Sequence, residues 1–269
     1  MAELKATVLV DNLAREGLTG EWGLSIHIEY RGRKLLLDTG ASCLFAENAA
    51  ALGLDPAEVE FGVLSHAHYD HSDGIPAFFL RNSRAPFFLR EGSGEDCFSG
   101  EKYIGIHKGM LESWPDRIRY VSGDYALFPG ATLVPHKTPG LERVGEKAGM
   151  YRMVDGRRRT EDFSHEQSLV LETERGLVIF NSCSHGGADT IIRETAQTFP
   201  GKTIYAMVGG FHLFRSTKEE VLAFARQLRE TGVEKIVTGH CTGQEAFELL
   251  KQELGPRVEQ MHAGYVLEI

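Results

Sequence analysis

No run of about 18 apolar residues occurs in this 269-residue sequence, so no segment of it reads as a membrane-spanning helix. Cysteine is scarce. Cys43, Cys97, Cys183 and Cys241 form no C-x-x-C pair and no dense framework, which fits a reducing compartment rather than a disulfide scaffold. Positive charge is short as well: 29 Lys and Arg face 38 Asp and Glu, for a formal net charge of −9. Nucleic-acid phosphates and anionic lipid both call for clustered cations, so neither is expected as a partner. The opening MAELKATVLV places Glu3 and Lys5 where a signal peptide has its apolar core, and the expectation is a cytoplasmic protein. Linkers, low-complexity segments and short repeats are also missing.

Glycine and histidine are plentiful instead, with 30 and 11 residues. Their placement follows the strands. Residues 6–10 and 24–30 read as strands, the second alternating with Leu24, Ile26, Ile28 and Tyr30 on one face. Residues 35–37 return as a strand ending at Asp38, and 44–52 read as a helix stopped by Gly53. A further helix is expected to start at Asp73. Residues 81–165 carry short apolar runs between Gly, Pro and charged stretches, and are expected to form long loops over an active-site face. Strands return at 168–172, 177–180, 204–208, 235–238 and 265–269, with helices between them. Thr217 with Glu220, and Thr242 with Glu245, have capping-box spacing. After the first box, Val221, Phe224, Ala225 and Leu228 form an apolar helical stripe.

Four of these strands end in polar clusters: 66–71, 181–185, 209–212 and 239–241. Sheet proteins gather ligand sites at such ends. Glycines flank three of the clusters, as turn formers or to let backbone approach a ligand. The strongest cluster is His66-x-His68-x-Asp70-His71. In extended chain, residues i and i+2 face the same way, so His66 and His68 can chelate one metal while Asp70 and His71 turn toward a second. Imidazole and carboxylate suit zinc, and also iron or manganese.

His66–His71 resembles the H-x-H-x-D-H signature of the metallo-β-lactamase fold superfamily, and the likeness extends along the chain. Asp38 in LLLDTG resembles the aspartate that supports the metal ligands. GLVIFNSC resembles the strand that usually ends in a metal-bridging aspartate, and KIVTGH resembles the last motif, with His240 as a ligand of the second metal. NSCSHGG, VGGFHL and TGHCTG are similar to the branch named for an archaeal dihydropterin-ribofuranosyl-aminobenzene-phosphate synthase. Cys183 stands where the bridging aspartate is usual. The remaining histidine ligand is His185 or His165, with His185 favoured because it sits at a strand end before a Gly-Gly turn, and His165 is then a candidate substrate contact together with Arg157 and Arg158. His212 is open to use as ligand, proton donor or oxyanion contact, against a plain buried histidine. Cys241 reads as a small buried residue, and His27, His107, His136 and His262 as ordinary. Arg157 and Arg158, with Arg159, Arg143 and Arg152 near, can clamp a phosphate or carboxylate, although a charge run is otherwise simply solvated.

The resemblance implies an α/β fold, a four-layer αββα sandwich of two mixed sheets with outer helices, in one domain over 1–269. It implies two divalent metals, zinc first, with iron or manganese as alternatives. The implied activity is metal-dependent hydrolysis by a metal-held hydroxide, on an ester, lactone, amide or phosphoester of a small molecule. Asp70 would orient the attacking group and His212 would protonate the leaving group. A synthase of the named type is the alternative, and an iron-dependent oxidoreductase a further one. A homo-oligomer is compatible with the sequence.

Overall fold

Period-two alternation sorts the strand side chains into layers. Ile26, Ile28 and Tyr30 of Ser25–Tyr30 face the same way as Leu4, Ala6 and Val8 of Leu4–Val10. They meet Leu169 and Leu171 of Gln167–Thr173, Val178 and Phe180 of Gly176–Phe180, and Ala206 and Val208 of Ile204–Val208. In the computed structural model, which describes residues 2–269, these residues form the core between two seven-stranded sheets. The first sheet runs Val266–Glu268, Leu4–Val10, Ser25–Tyr30, Arg33–Leu37, Phe61–Val63, Phe87–Arg90, Ile118–Val121. The second runs Val258–Gln260, Lys235–Thr238, Ile204–Val208, Gly176–Phe180, Gln167–Thr173, Ala131–Pro135, Tyr125–Phe128. Each is mixed, parallel toward one side and antiparallel toward the other.

The alternate residues face outward and are covered by helices. Leu44–Ala51 and Ile75–Arg81 pack on the first sheet. Ala188–Thr198, Lys218–Glu230 and Gln244–Leu254 cover Val170, Ile179, Met207 and Ile236 of the second. The result is the expected αββα sandwich. No helix among the described residues is long and apolar enough to cross a membrane.

Three local expectations are corrected. Instead of one helix from Asp73, a single turn spans Tyr69–Ser72 and a second helix spans Ile75–Arg81. Gly74 separates them, and a Cβ there would lie 2.3 Å from the Thr39 carbonyl oxygen. Thr217 caps its helix through the full box, but Thr242 does not cap Gln244–Leu254. Its hydroxyl instead accepts the Phe211 N–H at 3.0 Å and pairs with Thr238 at 2.6 Å. Finally, 81–165 is not mainly loop. It supplies outer strands to both large sheets and builds a third sheet in the order Arg157–Thr160, Met150–Val154, Asp96–Ser99, Lys102–Tyr103. That sheet is held by cross-strand pairs such as Phe98 stacked on Tyr151, with ring centroids 4.9 Å apart.

At one edge the parallel strands Phe61–Val63, Gly176–Phe180, Ile204–Val208 and Lys235–Thr238 all end, and Gln167 stitches the two sheets together there. Its N–H donates to the Ser65 carbonyl at 2.8 Å and its side-chain amide to the Leu64 carbonyl at 2.8 Å.

Candidate metal centre

Hydrogen bonds on one ring nitrogen fix where the other nitrogen's lone pair points. The Ser65 hydroxyl donates to Asp38 Oδ2 at 2.6 Å, so it must accept from His66 Nδ1 at 2.8 Å. His71 Nδ1 donates to the same Asp38 oxygen at 2.9 Å, His185 Nδ1 to Glu166 Oε2 at 2.7 Å, and His240 Nδ1 to Asn12 Oδ1 at 3.1 Å. Assigned from this network, the Nε2 atoms of His66, His71, His185 and His240 carry no hydrogen. Those of His66, His68, His185 and His240 are buried with no hydrogen-bond partner. Four orphaned ring nitrogens on one strand edge are a costly arrangement unless something else satisfies them. Burial, followed by the neighbouring imidazoles, holds His66 and His68 far below the usual histidine pKa, and holds His240 at about 3. The rings of His66, His68 and His240 are therefore neutral donors.

The donor atoms of His66, His68 and His185 lie within 4.8 Å of one another, as do those of His66, His71 and Cys183. Asp70 Oδ2 lies 3.7 Å from His71 Nε2 and 3.6 Å from His240 Nε2. The structure thus brings together His66, His68 and His185 at one locus, and Asp70, His71, Cys183 and His240 beside it. Nitrogen, oxygen and sulfur donors in these groupings fit divalent first-row metals.

Asp38 ties the centre to the scaffold. It accepts from the Ser65 N–H at 2.7 Å, the Ser65 and Ser182 hydroxyls, and His71. Backbone strain gathers here too. Asp38, Ser184, His212 and His240 have φ of 58°, 50°, 49° and 46°, left-handed values that cost non-glycine residues about 1–3 kcal/mol each. Gly209 and Gly210 let the strand ends close in. A Cβ at Gly209 would lie 1.5 Å from the Asn181 carbonyl oxygen.

A cavity of about 930 Å³ opens over His68, Asp70, His185 and His240. His212 lines it, with its ring 4.5 Å from that of His185 and its Nδ1 buried without a partner. Trp22 and Phe214 form an aromatic wall, their centroids 5.3 Å apart. The basic residues of the lining are Lys102, Arg143, Lys147 and Arg215.

This corrects the placement of three residues. Arg157 and Arg158 lie on the exposed strand Arg157–Thr160 and do not line the cavity, and the Arg158 guanidinium stacks on Tyr151 at 3.6 Å. His165 is fully buried, so it is not available to substrate. Its Nδ1 accepts the Ala67 N–H at 3.1 Å, which leaves the ring proton on Nε2, facing Glu161 at 3.4 Å and Cys97 at 3.7 Å. It braces the backbone between His66 and His68.

Sequence reasoning missed several supports. Asp11 Oδ2 accepts the His240 N–H at 2.9 Å beside Asn12, and burial raises the Asp11 carboxyl to about 7. Both residues follow the strand Leu4–Val10, the same strand-end signal that exposed the other clusters. His136, read as ordinary, lies between Glu166 at 3.2 Å and Glu194 at 3.0 Å. Burial alone would depress its pKa, but the two carboxylates outweigh burial and raise it to about 9.

The family model of the metallo-β-lactamase superfamily matches residues 23–83. Over 268 aligned residues the chain is 27% identical to the 7,8-dihydropterin-6-methyl-4-(β-D-ribofuranosyl)-aminobenzene-5'-phosphate synthase of Methanocaldococcus jannaschii, covering 91% of this chain and 89% of that protein. A solved structure described as a metal-dependent hydrolase of the β-lactamase superfamily is 30% identical, with a TM-score of 0.84 and 99% of each chain covered. A metallo-β-lactamase fold protein from Bacillus subtilis shares the fold at 12% identity, with a TM-score of 0.59 and 100% of each chain covered.

Proposed function

This chain belongs to the metallo-β-lactamase superfamily, and from that premise we propose that it is a metal-dependent hydrolase of a small-molecule ester, lactone, amide or phosphoester. The observation that carries this reading is the set of four buried, unpartnered Nε2 atoms beneath an open cavity. His66, His68 and His185 would hold one metal, and Asp70, His71 and His240 a second, with Cys183 between them. Metals bound there, zinc first and iron or manganese next by donor type, supply Lewis acidity and acidify water.

The chain's own residues do the rest. Asp70 reaches the cavity floor, where its carboxylate can accept a proton from attacking water and orient it. The His212 ring lines the cavity, where it can give a proton to a leaving group. Asp38, Glu166 and Asn12 keep His71, His185 and His240 in one tautomer. Trp22 and Phe214 offer an apolar wall to the organic part of a substrate, and Arg143 and Arg215 offer charge for an anionic part.

The likeness to the archaeal synthase favours a second reading, a synthase joining a pterin precursor to a phosphorylated ribosyl-aminobenzene. A substrate panel separates the two. For the hydrolase, a simple ester, lactone or phosphodiester turns over, the activity is lost to a chelator, and zinc restores it. Turnover of a dihydropterin and aryl-amine pair, with no hydrolysis across the panel, overturns the hydrolase reading in favour of the synthase.

A further inference from the structure

Cys183 follows the strand Gly176–Phe180, and Cys241 lies in the turn His240–Thr242, after a different strand. Both are free thiols and both are buried. The fold brings their Sγ atoms to 3.4 Å. Cys183 Sγ is also 3.3 Å from His71 Nε2. The donor atoms of Cys183, His240 and Cys241 fall within 4.8 Å of one another, and His240 Nε2 is one of the buried orphans.

The surroundings of Cys241 are polar rather than those of an apolar filler, and its Sγ faces the Cys183 carbonyl at 3.8 Å as well as the Cys183 sulfur. The His212 N–H donates to its Sγ at 3.2 Å. Room for the sulfur is made at Gly210, where a Cβ would come within 2.6 Å of it. Around a tetrahedral zinc, with Zn–S about 2.3 Å and Zn–N about 2.05 Å, ligand atoms stand about 3.8 Å apart for S–S and about 3.5 Å for S–N. The observed 3.4 Å and 3.3 Å fall within a few tenths of an ångström of those values.

We infer that Cys241 is a metal ligand, and that Cys183, Cys241, His71 and His240 make the second locus a two-sulfur site, with Asp70 at its edge. This rests on the metal-centre reading above. It makes the two loci chemically unequal. His66, His68 and His185 offer three neutral nitrogens, whereas the second locus offers two thiolates and selects thiophilic ions such as zinc. Metal ligation there requires both sulfurs as thiolates.

Cobalt(II) titrated into the metal-free full-length chain tests this. Bound cobalt is counted from its visible d–d bands, and sulfur ligation from the thiolate-to-cobalt charge-transfer band in the near ultraviolet. Cys241→Ser should roughly halve the charge-transfer band, Cys183→Ser should do the same, and the double variant should abolish it. Cys43→Ser, at an exposed position, should leave the band unchanged. A wild-type charge-transfer band in Cys241→Ser that retains its cobalt overturns the Cys241 assignment alone. Absence of any cobalt binding by the wild type overturns the metal-centre reading as well. Should a variant fail to fold, alkylation of the wild type decides, run in denaturant just sufficient for Cys183 and Cys241 of the metal-free chain to be labelled. Zinc should protect Cys183 and Cys241 from a thiol alkylator, read by peptide mass, while Cys43 reacts; equal labelling of Cys241 with and without zinc contradicts the assignment.

Discussion

Asp38 shows how one buried carboxylate can set a metal centre it does not touch. Its two oxygens collect one backbone N–H, two hydroxyls and the His71 ring, all buried. Asp38→Ala removes every acceptor at once and leaves those donors unsatisfied. We expect destabilisation of about 3–5 kcal/mol in denaturant unfolding and metal affinity reduced roughly 10–100-fold in chelator competition. Stability and affinity both within error of wild type would remove Asp38 from this role. At this scale the candidate ligand types stand out in the sequence, as three histidines and an aspartate in six residues. Their partners were not. Glu166 fixes His185 from 19 residues away, and Asp11 holds the His240 backbone from 229 residues away. Nothing local to either histidine signals such a partner.

Between elements, a buried chain runs His185–Glu166–His136–Glu194 and joins the strand Ala131–Pro135 to the helix Ala188–Thr198. Glu194 also accepts the backbone N–H groups of Lys137 and Thr138, at 2.7 and 2.8 Å. Because the folded pKa of His136 is raised to about 9, its stabilising contribution is complete below the unfolded value near 6.5 and is lost as pH rises through about 9. Glu166 and Glu194 have depressed values, so their contribution is present at neutral pH and is lost only in acid. The thermal midpoint of the metal-free protein should therefore fall between about pH 6.5 and 9, by more than in His136→Gln, whose curve should lack that step. Parallel curves for the two proteins would show that His136 carries no such charge. The strand-end clusters were legible at this scale, because a short apolar run stops abruptly at each of them. The third sheet was hidden. Strand Arg157–Thr160 is exposed throughout and carries three arginines, so no buried face writes a period into the sequence. Thr242 had capping-box spacing, but tertiary contacts with Phe211 and Thr238 took its hydroxyl first.

Across the whole molecule, the centre sits on the seam between the two sheets. The first sheet leads into Asp38 and the 66–71 cluster, and the second into Cys183, His185, His212 and His240. The layer order was implied by the superfamily resemblance rather than by periodicity, since strands such as Ile204–Val208 are buried on both faces and show no alternation. The contacts that join the two facing sheets at this end, from Gln167 and from the Ser182 bond to Asp38, are made between distant segments. A metal bound at that seam would cross-link the sheets, and its binding energy would add to folding energy. The most direct measurement is elemental metal analysis of the chain purified without added metal, beside His66→Ala/His68→Ala prepared identically. The wild type should carry zinc, or another divalent first-row metal, and the double variant should lose metal together with activity. Full metal content in the double variant would contradict the assignment of the centre.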